Sequence, residues 1–310
     1  MVSCGRCGGR AEVRPEGRPL CGRCFTELYE RRVGETVRRY GMFARGDRVA
    51  VAISGGKDSA SLLFSLRRLF PDLPMAALHL NVGIPGYSEE CEREARRLAE
   101  MVGVDLILYD TRRELGISTP DFSRTPYRRR ICSPCSTVKR YLLNRLAWER
   151  GFTKLATGHN LDDVAEALFS LYLHGDVGQL VRLRPLSPSP HPKLLARVKP
   201  LWGVTEEESR IYAELNGLPF KRDPCPLSAG SRSRERKAVL GEVEGRIRGF
   251  RRTLVSSHLR SFLPLLEGRV EAPPLLECSS CGMPSSTDPC AFCRRVEMAR
   301  RASARRPSGE

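Results

Sequence analysis

The chain has 310 residues, more than a usual single domain, and a hydrophobic content of 41% is enough for a sizeable core. No apolar run approaches the about 18 residues of a membrane helix, and the opening "MVSCGRCGGR" carries no apolar signal region, so a cytoplasmic protein with no membrane partner is expected. With 52 Lys and Arg against 36 Asp and Glu, the net charge is +16, an excess a small-metabolite enzyme has no need of; it points to a polyanionic partner, nucleic acid first.

In chain order, Cys4-x2-Cys7 and Cys21-x2-Cys24 come first, 13 residues apart. Four soft thiolates in two CxxC turns close a tetrahedral zinc site, and in a long chain without a secretion signal metal thiolates are favoured over disulfides. An alternating pattern follows: strand Arg48 to Ser54, helix Asp58 to Phe70, strand Met75 to Asn81, helix Ser88 to Val102, strand Asp105 to Asp110. After a long connection, Thr111 to Ile131, come helix Thr137 to Arg150, strand Lys154 to Asn160 and helix Leu161 to Leu173. This spacing predicts an α/β fold, a parallel twisted sheet with helices on both faces, with ligands at the C-terminal strand ends. Val177 to Pro200 reads as an irregular, hairpin-like excursion, and Thr205 with Glu208 as the capping box of a helix to Asn216. Arg232 to Leu266 reads as basic helix, and Cys278-x2-Cys281 and Cys290-x2-Cys293, eight residues apart, as a second zinc module. The expected units are 1–30 (first zinc module), 31–230 (ATP-binding catalytic domain), 231–270 (basic helices), 271–297 (second zinc module) and 298–310 (a frayed basic tail).

The chemistry starts at "VAVAISGGKDSASLLFSLRRLF". Ser54, Gly55 and Gly56 turn the chain between an apolar strand and a helix, so backbone N–H groups and the helix N-terminus face an anion. Lys57 and Ser59 add donors, and Asp58 lies in the first turn. The spacing G-x4-G-K-[ST] is absent, which argues against a GTPase-like switch. In "ATGHNLDD", Gly158 and Asp163 come beside this loop at an adjacent strand end. Asp163 is expected to hold Mg2+ or orient a phosphate and Asp162 to cap the helix. "SGGKDS" after an apolar strand resembles the PP-loop of the ATP pyrophosphatases. That resemblance implies a Rossmann-like fold and ATP split to leave pyrophosphate, with adenine near Leu80.

Four cysteines lie between the modules. Cys132 and Cys135 in "RRRICSPCSTVKR" open a helix next to arginines, which predicts lowered thiol pKa values. Cys225 in "RDPCPLS" makes a third. Three thiolates do not close a tetrahedral zinc; they suit an iron–sulfur cluster with one open iron, a Cys132–Cys135 redox disulfide, or a third zinc completed by a histidine. Cys91 fits no set and reads as an ordinary helix cysteine, and the five histidines form no spaced pair.

A PP-loop between two four-cysteine modules, with C-x2-C before "GHNLDD" and a late "PCP", resembles the tRNA 2-thiouridine synthetases, relatives of the 2-thiocytidine synthetases. The likeness runs from Cys4 to Cys293. It implies a [4Fe-4S] cluster on Cys132, Cys135 and Cys225, Lys139 reaching the ATP site, and catalysis by these four with Asp163. It also implies a ubiquitin-like sulfur carrier with a C-terminal thiocarboxylate and a homodimer. "CGMP…CAFC" resembles the position-54 group of that family more than the position-34 group, which implies uridine 54 over uridine 34. The tRNA is expected on Arg128, Arg129, Arg130, Arg232, Arg234, Arg251 and Arg252. The competing expectations are another PP-loop ligase, amidating or lysidine-type, and a non-catalytic zinc protein that binds RNA.

Overall fold

The computed structural model describes residues 2–270 and 274–304. After the first cysteine module the chain enters α1 (Gly22–Arg39). Phe25, Tyr29, Val33 and Val37 recur every fourth residue, form one stripe and are buried. The helix runs unbroken from the module into the core, where the Tyr29 ring stacks on Tyr212 with centroids 4.1 Å apart.

The sheet is built from β1 (Val49–Ile53), followed by α2 (Lys57–Leu69), then β2 (Met75–Asn81), α3 (Tyr87–Val102) and β3 (Leu106–Asp110). The long connection is not structureless: it holds α4 (Thr111–Leu115) and a 3-10 turn over Thr119–Arg124 with a Ser118/Asp121 capping box. α5 (Cys132–Glu149) begins five residues before the expected Thr137, because Pro134 falls in the first turn, where a missing N–H costs no helix bond. β4 (Lys154–Ala156) is shorter than expected, since Thr157 to Asn160 already turn into α6 (Leu161–His174). After α7 (Val177–Arg182), β5 (Leu186–Ser187) and β6 (Ala196–Val198) form the expected hairpin, and α8 (Glu206–Leu215) carries the Thr205/Glu208 capping box. The strand order is β3-β2-β1-β4-β6-β5, parallel except for the antiparallel edge strand β5. β1 reads VAVAI with no polar residue because both faces of a parallel sheet are covered. Val49, Val51 and Ile53 face a core shared with α1, α2, α3 and α8, and Ala50 faces the core under α5.

The basic stretch divides into α9 (Arg232–Arg246), α10 (Phe250–Ser257), a π-turn at His258–Phe262 and α11 (Leu263–Leu266). The first break is at Gly249, whose φ of 82° a helix cannot hold. α9 and α10 pack on α6 around Leu168, Leu240 and Val255. The second module contains the two-residue strands β7 (Leu276–Glu277) and β8 (Pro284–Ser285) and ends in α12 (Ala291–Ala304). α12 packs back on α5, with Phe292 stacked on Tyr141 at 3.7 Å. The tail expected to fray from residue 298 is helical to Ala304, with Ala299 fully buried; residues 305–310 lie outside the described residues, as do 271–273 at the start of the second module. No helix among the described residues is long and apolar enough to cross a membrane.

Candidate functional site

β1 lies between β2 and β4, where the strand order reverses direction, and in such sheets ligands sit at this switch point. The Ser54–Ser59 loop and the Thr157–Asn160 turn leave these two neighbouring strand ends. Gly55 has φ +84°, and a Cβ on it would stand 2.7 Å from the Cα of Cys91. Cys91 is therefore the wall against which the loop turns. Ser59 Oγ accepts from the Ser54 N–H at 3.1 Å and donates to the Gly56 carbonyl at 2.9 Å, closing the loop over the start of α2. The first N–H groups of α2 have no intrahelical acceptor. A Cβ on Gly158 would come within 3.1 Å of the Ser59 nitrogen, so the second turn packs directly on the phosphate loop. Below the loop, His79 Nδ1 pairs with the Ile53 carbonyl at 2.9 Å, and Leu80 follows, partly buried toward α5.

Five charged groups alternate in sign around this loop. Lys57 Nζ lies 3.1 Å from Asp58 and 2.9 Å from Glu206; Lys237 Nζ lies 3.0 Å from Glu206 and 2.5 Å from Asp163. Burial pushes the Asp58 carboxyl up, opposed by Lys57 and by the Asn160 amide that donates to it at 2.9 Å. Burial acts the same way on Glu206, but Lys237 and Lys57 outweigh it and bring it down to about 2. Glu206, Lys237 and Asn160 escaped the sequence reading. Lys237 was hidden in the run "RSRERK", whose inner face points into the site: Arg236 also turns inward, onto Glu166 at 2.6 Å. The capping role expected of Asp162 needs correction. Asp163, not Asp162, makes the capping box with Asn160, at 3.0 and 3.2 Å. Asp162 instead accepts from the Glu206 N–H at 2.7 Å and pairs with Arg251.

The middle cysteines meet beside this loop. The Lys221 N–H donates to the Gly55 carbonyl at 2.8 Å, which leads the chain past the phosphate loop to Cys225. Two residues on, the Leu227 carbonyl lies 3.8 Å from Cys132 Sγ, across 95 positions of sequence. Cys132, Cys135 and Lys139, spaced three and seven apart, share one face of α5. Thr119 Oγ1 is 3.5 Å from Cys135 Sγ. The expected lowering of the thiol pKa does not hold for Cys132: although the side chain is exposed, partial desolvation at its inner side pushes it up, and Cys135 and Cys225 add to this because neighbouring thiolates repel, with Lys139 opposing. Cys91 belongs to the surroundings of this group, since Tyr87 feels Cys91, Cys225 and Cys135 together.

In each terminal module four Sγ atoms lie within 4.8 Å of one another. The pairs Cys7–Cys21, Cys278–Cys293 and Cys281–Cys290 are 3.7, 3.9 and 3.8 Å apart. A disulfide needs about 2.05 Å, whereas a tetrahedral ion with bonds of about 2.3 Å sets its sulfurs about 3.8 Å apart. The sets therefore fit a metal ion. Backbone N–H groups aim at these sulfurs, Cys290 N–H to Cys278 Sγ at 3.2 Å. Burial raises the Cys278 thiol, but the N–H groups of Cys290, Ser280 and Cys281 outweigh it and bring it down to about 6. The middle three thiols are not within 4.8 Å of one another, and a cluster of several irons holds its thiolates further apart than one ion does.

Of the arginines expected to meet RNA, Arg128, Arg129, Arg130, Arg232 and Arg234 are exposed. Arg251 and Arg252 are not on that surface. Arg251 is clamped on Asp162, and Arg252 bonds Glu16 at 2.8 Å and the Gly203 carbonyl at 2.7 Å, tying α10 to the first module. Arg251→Ala leaves Asp162 half-paired inside the protein and is expected to lower stability by about 3 kcal/mol. Urea unfolding checks this, and a variant with undiminished stability but weakened RNA binding would return Arg251 to the surface role.

A glycine loop at a strand switch point, opening a helix and ringed by lysines and carboxylates, defines an ATP-binding PP-loop protein, and the PP-loop domain family matches residues 26–242. The chain is 37% identical to the tRNA-5-methyluridine(54) 2-sulfurtransferase of Pyrococcus horikoshii, over 89% of this chain and 86% of that protein. It is 35% identical to that of Thermus thermophilus, over 98% and 94%. The solved U34-tRNA thiolase NcsA from Methanococcus maripaludis, with its [4Fe-4S] cluster, superposes with a TM-score of 0.79 at 30% identity, covering 96% of both chains. The chain belongs to this family of PP-loop tRNA 2-thiolation proteins.

Proposed function

We propose that the protein is an ATP-dependent tRNA uridine 2-sulfurtransferase. The observation that carries this reading is the meeting of Cys132 and the Cys225 turn beside the phosphate loop, joined through Lys221 and Leu227. The loop N–H groups of Ser54 to Ser59 and Lys57 hold the β- and γ-phosphates, with Lys57 exchanging Glu206 for phosphate and Asp163 holding Mg2+. Lys139, on the same helix face as the two cysteines, neutralises charge at the α-phosphate. The C2 oxygen of the uridine attacks that phosphorus, a C2–O–P bond forms and pyrophosphate leaves. Hydrosulfide then adds at C2, the C2–O bond breaks, and AMP departs with the oxygen, with no net redox change. Cys132, Cys135 and Cys225 fit a [4Fe-4S] cluster, which when bound supplies an iron without a protein ligand at which sulfur is held. The terminal modules hold zinc and keep their small folds closed. By the same resemblance the sulfur comes from a ubiquitin-like carrier with a C-terminal thiocarboxylate, and two chains act together.

Position 54 is favoured over 34, because the relatives at 35–37% identity are named for 5-methyluridine 54 and the U34 thiolase is 30% identical. The test is anaerobic incubation of the cluster-loaded protein with ATP, sulfide and tRNA. AMP release that depends on tRNA, with 2-thiouridine mapped to position 54 by mass spectrometry, is the expected result. AMP release without any thiolated nucleoside would point to a different PP-loop ligase.

A further inference from the structure

Beside the phosphate loop lies a set of cations that the mechanism above does not use. In the parallel register Arg197 of β6 stands beside Leu155 of β4, and neighbours in register share a face, so Arg197 points to the side of the sheet covered by α5. There it meets Arg140 of α5 and Arg295 of α12. The three line one cavity of about 290 Å3, together with Thr137 and Asn144. Tyr141, whose ring stacks on the buried Phe292, also lines it, and the Arg295 guanidinium lies 5.4 Å above the Tyr127 ring.

No carboxylate among the described residues answers these charges. The Arg295 Nε is buried with no hydrogen-bond partner. Arg140 is exposed and Arg197 half-buried; partial desolvation, then Arg295, hold Arg140 below the usual arginine value, and desolvation, then Arg140, do the same to Arg197. Lys199, just past the end of the same strand, is brought down to about 8 by burial and by Arg197. Its ammonium reaches no carboxylate among the described residues, but the Arg184 carbonyl at 2.6 Å, Ser187 Oγ at 3.5 Å and the Trp202 ring at 5.7 Å. Cations placed together without counter-ions destabilise the free protein, and such an arrangement persists where an anion is to be bound. The position says which anion. One end of the row is Tyr127, next to the exposed Arg128, Arg129 and Arg130. The other is His159, which faces Asp163 as well as Lys199, Arg140 and Arg197 and follows the Gly158 that packs on the phosphate loop. The row holds Arg140, Arg197, Lys199 and Arg295, more positive charge than one phosphodiester neutralises, and runs from the exposed Arg128 to Arg130 toward the phosphate loop.

We propose that Arg140, Arg197 and Arg295, extended by Lys199, form a groove that seats consecutive backbone phosphates of the tRNA strand carrying the target uridine, with the second cysteine module supplying Arg295 as one wall. This rests on the thiolation reading. A requirement follows: the module is part of the RNA site and does more than close its own fold.

The experiment compares the full-length, cluster-loaded protein with the Arg140→Gln/Arg197→Gln/Arg295→Gln variant, and with Arg39→Gln on the opposite face as a charge control. Expected are a rise in tRNA Kd of about tenfold or more and a fall of about 2–3 in the slope of log affinity against log salt, roughly one per phosphate contact. ATP binding should stay within about twofold, and Arg39→Gln should change neither. Thermal stability of the triple variant should be equal or higher, because like charges are removed and no ion pair is lost. Unchanged tRNA affinity and salt slope, in a protein whose AMP release still responds to tRNA, overturns the groove alone. Weakened ATP binding with intact tRNA affinity overturns it too, by assigning the arginines to the nucleotide's phosphates. Absence of tRNA-dependent AMP release in the unsubstituted protein overturns the thiolation reading and the groove with it.

Discussion

Cys132→Ala is expected to reduce tRNA thiolation by more than about 10³-fold, since groups that act as one unit fail together when one is removed. The side chain is exposed, and its one polar contact is the 3.8 Å approach to the Leu227 carbonyl, so folding should be almost unaffected. Iron content should fall from about four per chain toward none, while zinc stays near two because the terminal sets share no ligand with the middle one. ATP binding should survive, because the phosphate loop is held by its own serines and by Cys91 rather than by Cys132. Iron analysis, equilibrium ATP binding and nucleoside mass spectrometry on one preparation read all three. Full thiolation by Cys132→Ala would remove the three-cysteine reading and return the protein to the general class of PP-loop ligases.

The parts legible in the sequence were those where local chemistry and fold agree. The apolar β1 followed by Ser-Gly-Gly-Lys and an amphipathic helix can be read from a dozen residues, because strand, turn and helix start each have their own residue demands. The two four-cysteine sets were legible because their spacing is their geometry. The start of α5 was missed because apolar periodicity begins after Pro134, although a first-turn proline is no obstacle. The cap in "NLDD" was given to Asp162 because both aspartates suit a helix start; only the approach of Arg251 and of the α8 N-terminus to Asp162 shows that it is engaged elsewhere.

The basic residues were the least legible. Arg251, Arg252, Arg236 and Lys237 look in sequence like Arg232 and Arg234, yet the first four turn inward onto carboxylates as far apart in the chain as Glu16 and Glu244, while the last two face solvent. A charge run states how many cations a helix carries, and tertiary packing decides which face keeps them free. Conversely Arg140, Arg197 and Arg295 lie in three different elements, in pairs at most (Lys139-Arg140, Arg294-Arg295), and only the docking of α12 on α5 and the register of β6 bring them together.

Gly55→Ala is the second large effect. At φ +84° an alanine costs about 1–2 kcal/mol before any contact is counted. Its Cβ would then lie 2.7 Å from Cys91 Cα and 2.8 Å from the Cys91 carbonyl oxygen. These are backbone atoms of α3, itself packed on the sheet through Ala95, Leu98 and Val102, so the helix cannot yield and the loop must move. A displacement of about 1 Å at a reacting phosphate costs about 10²-fold, and kcat/KM for ATP in AMP formation should fall by that factor. Gly56→Ala is the comparison. Its backbone is extended at φ −97°, and the nearest atom to a Cβ is Ser54 Oγ at 3.5 Å, an ordinary contact. It should melt like the parent, whereas Gly55→Ala melts lower. Equal melting temperatures and equal ATP kinetics for the two variants would show that α3 does not hold the loop, and that the tight turn is set by the nucleotide instead.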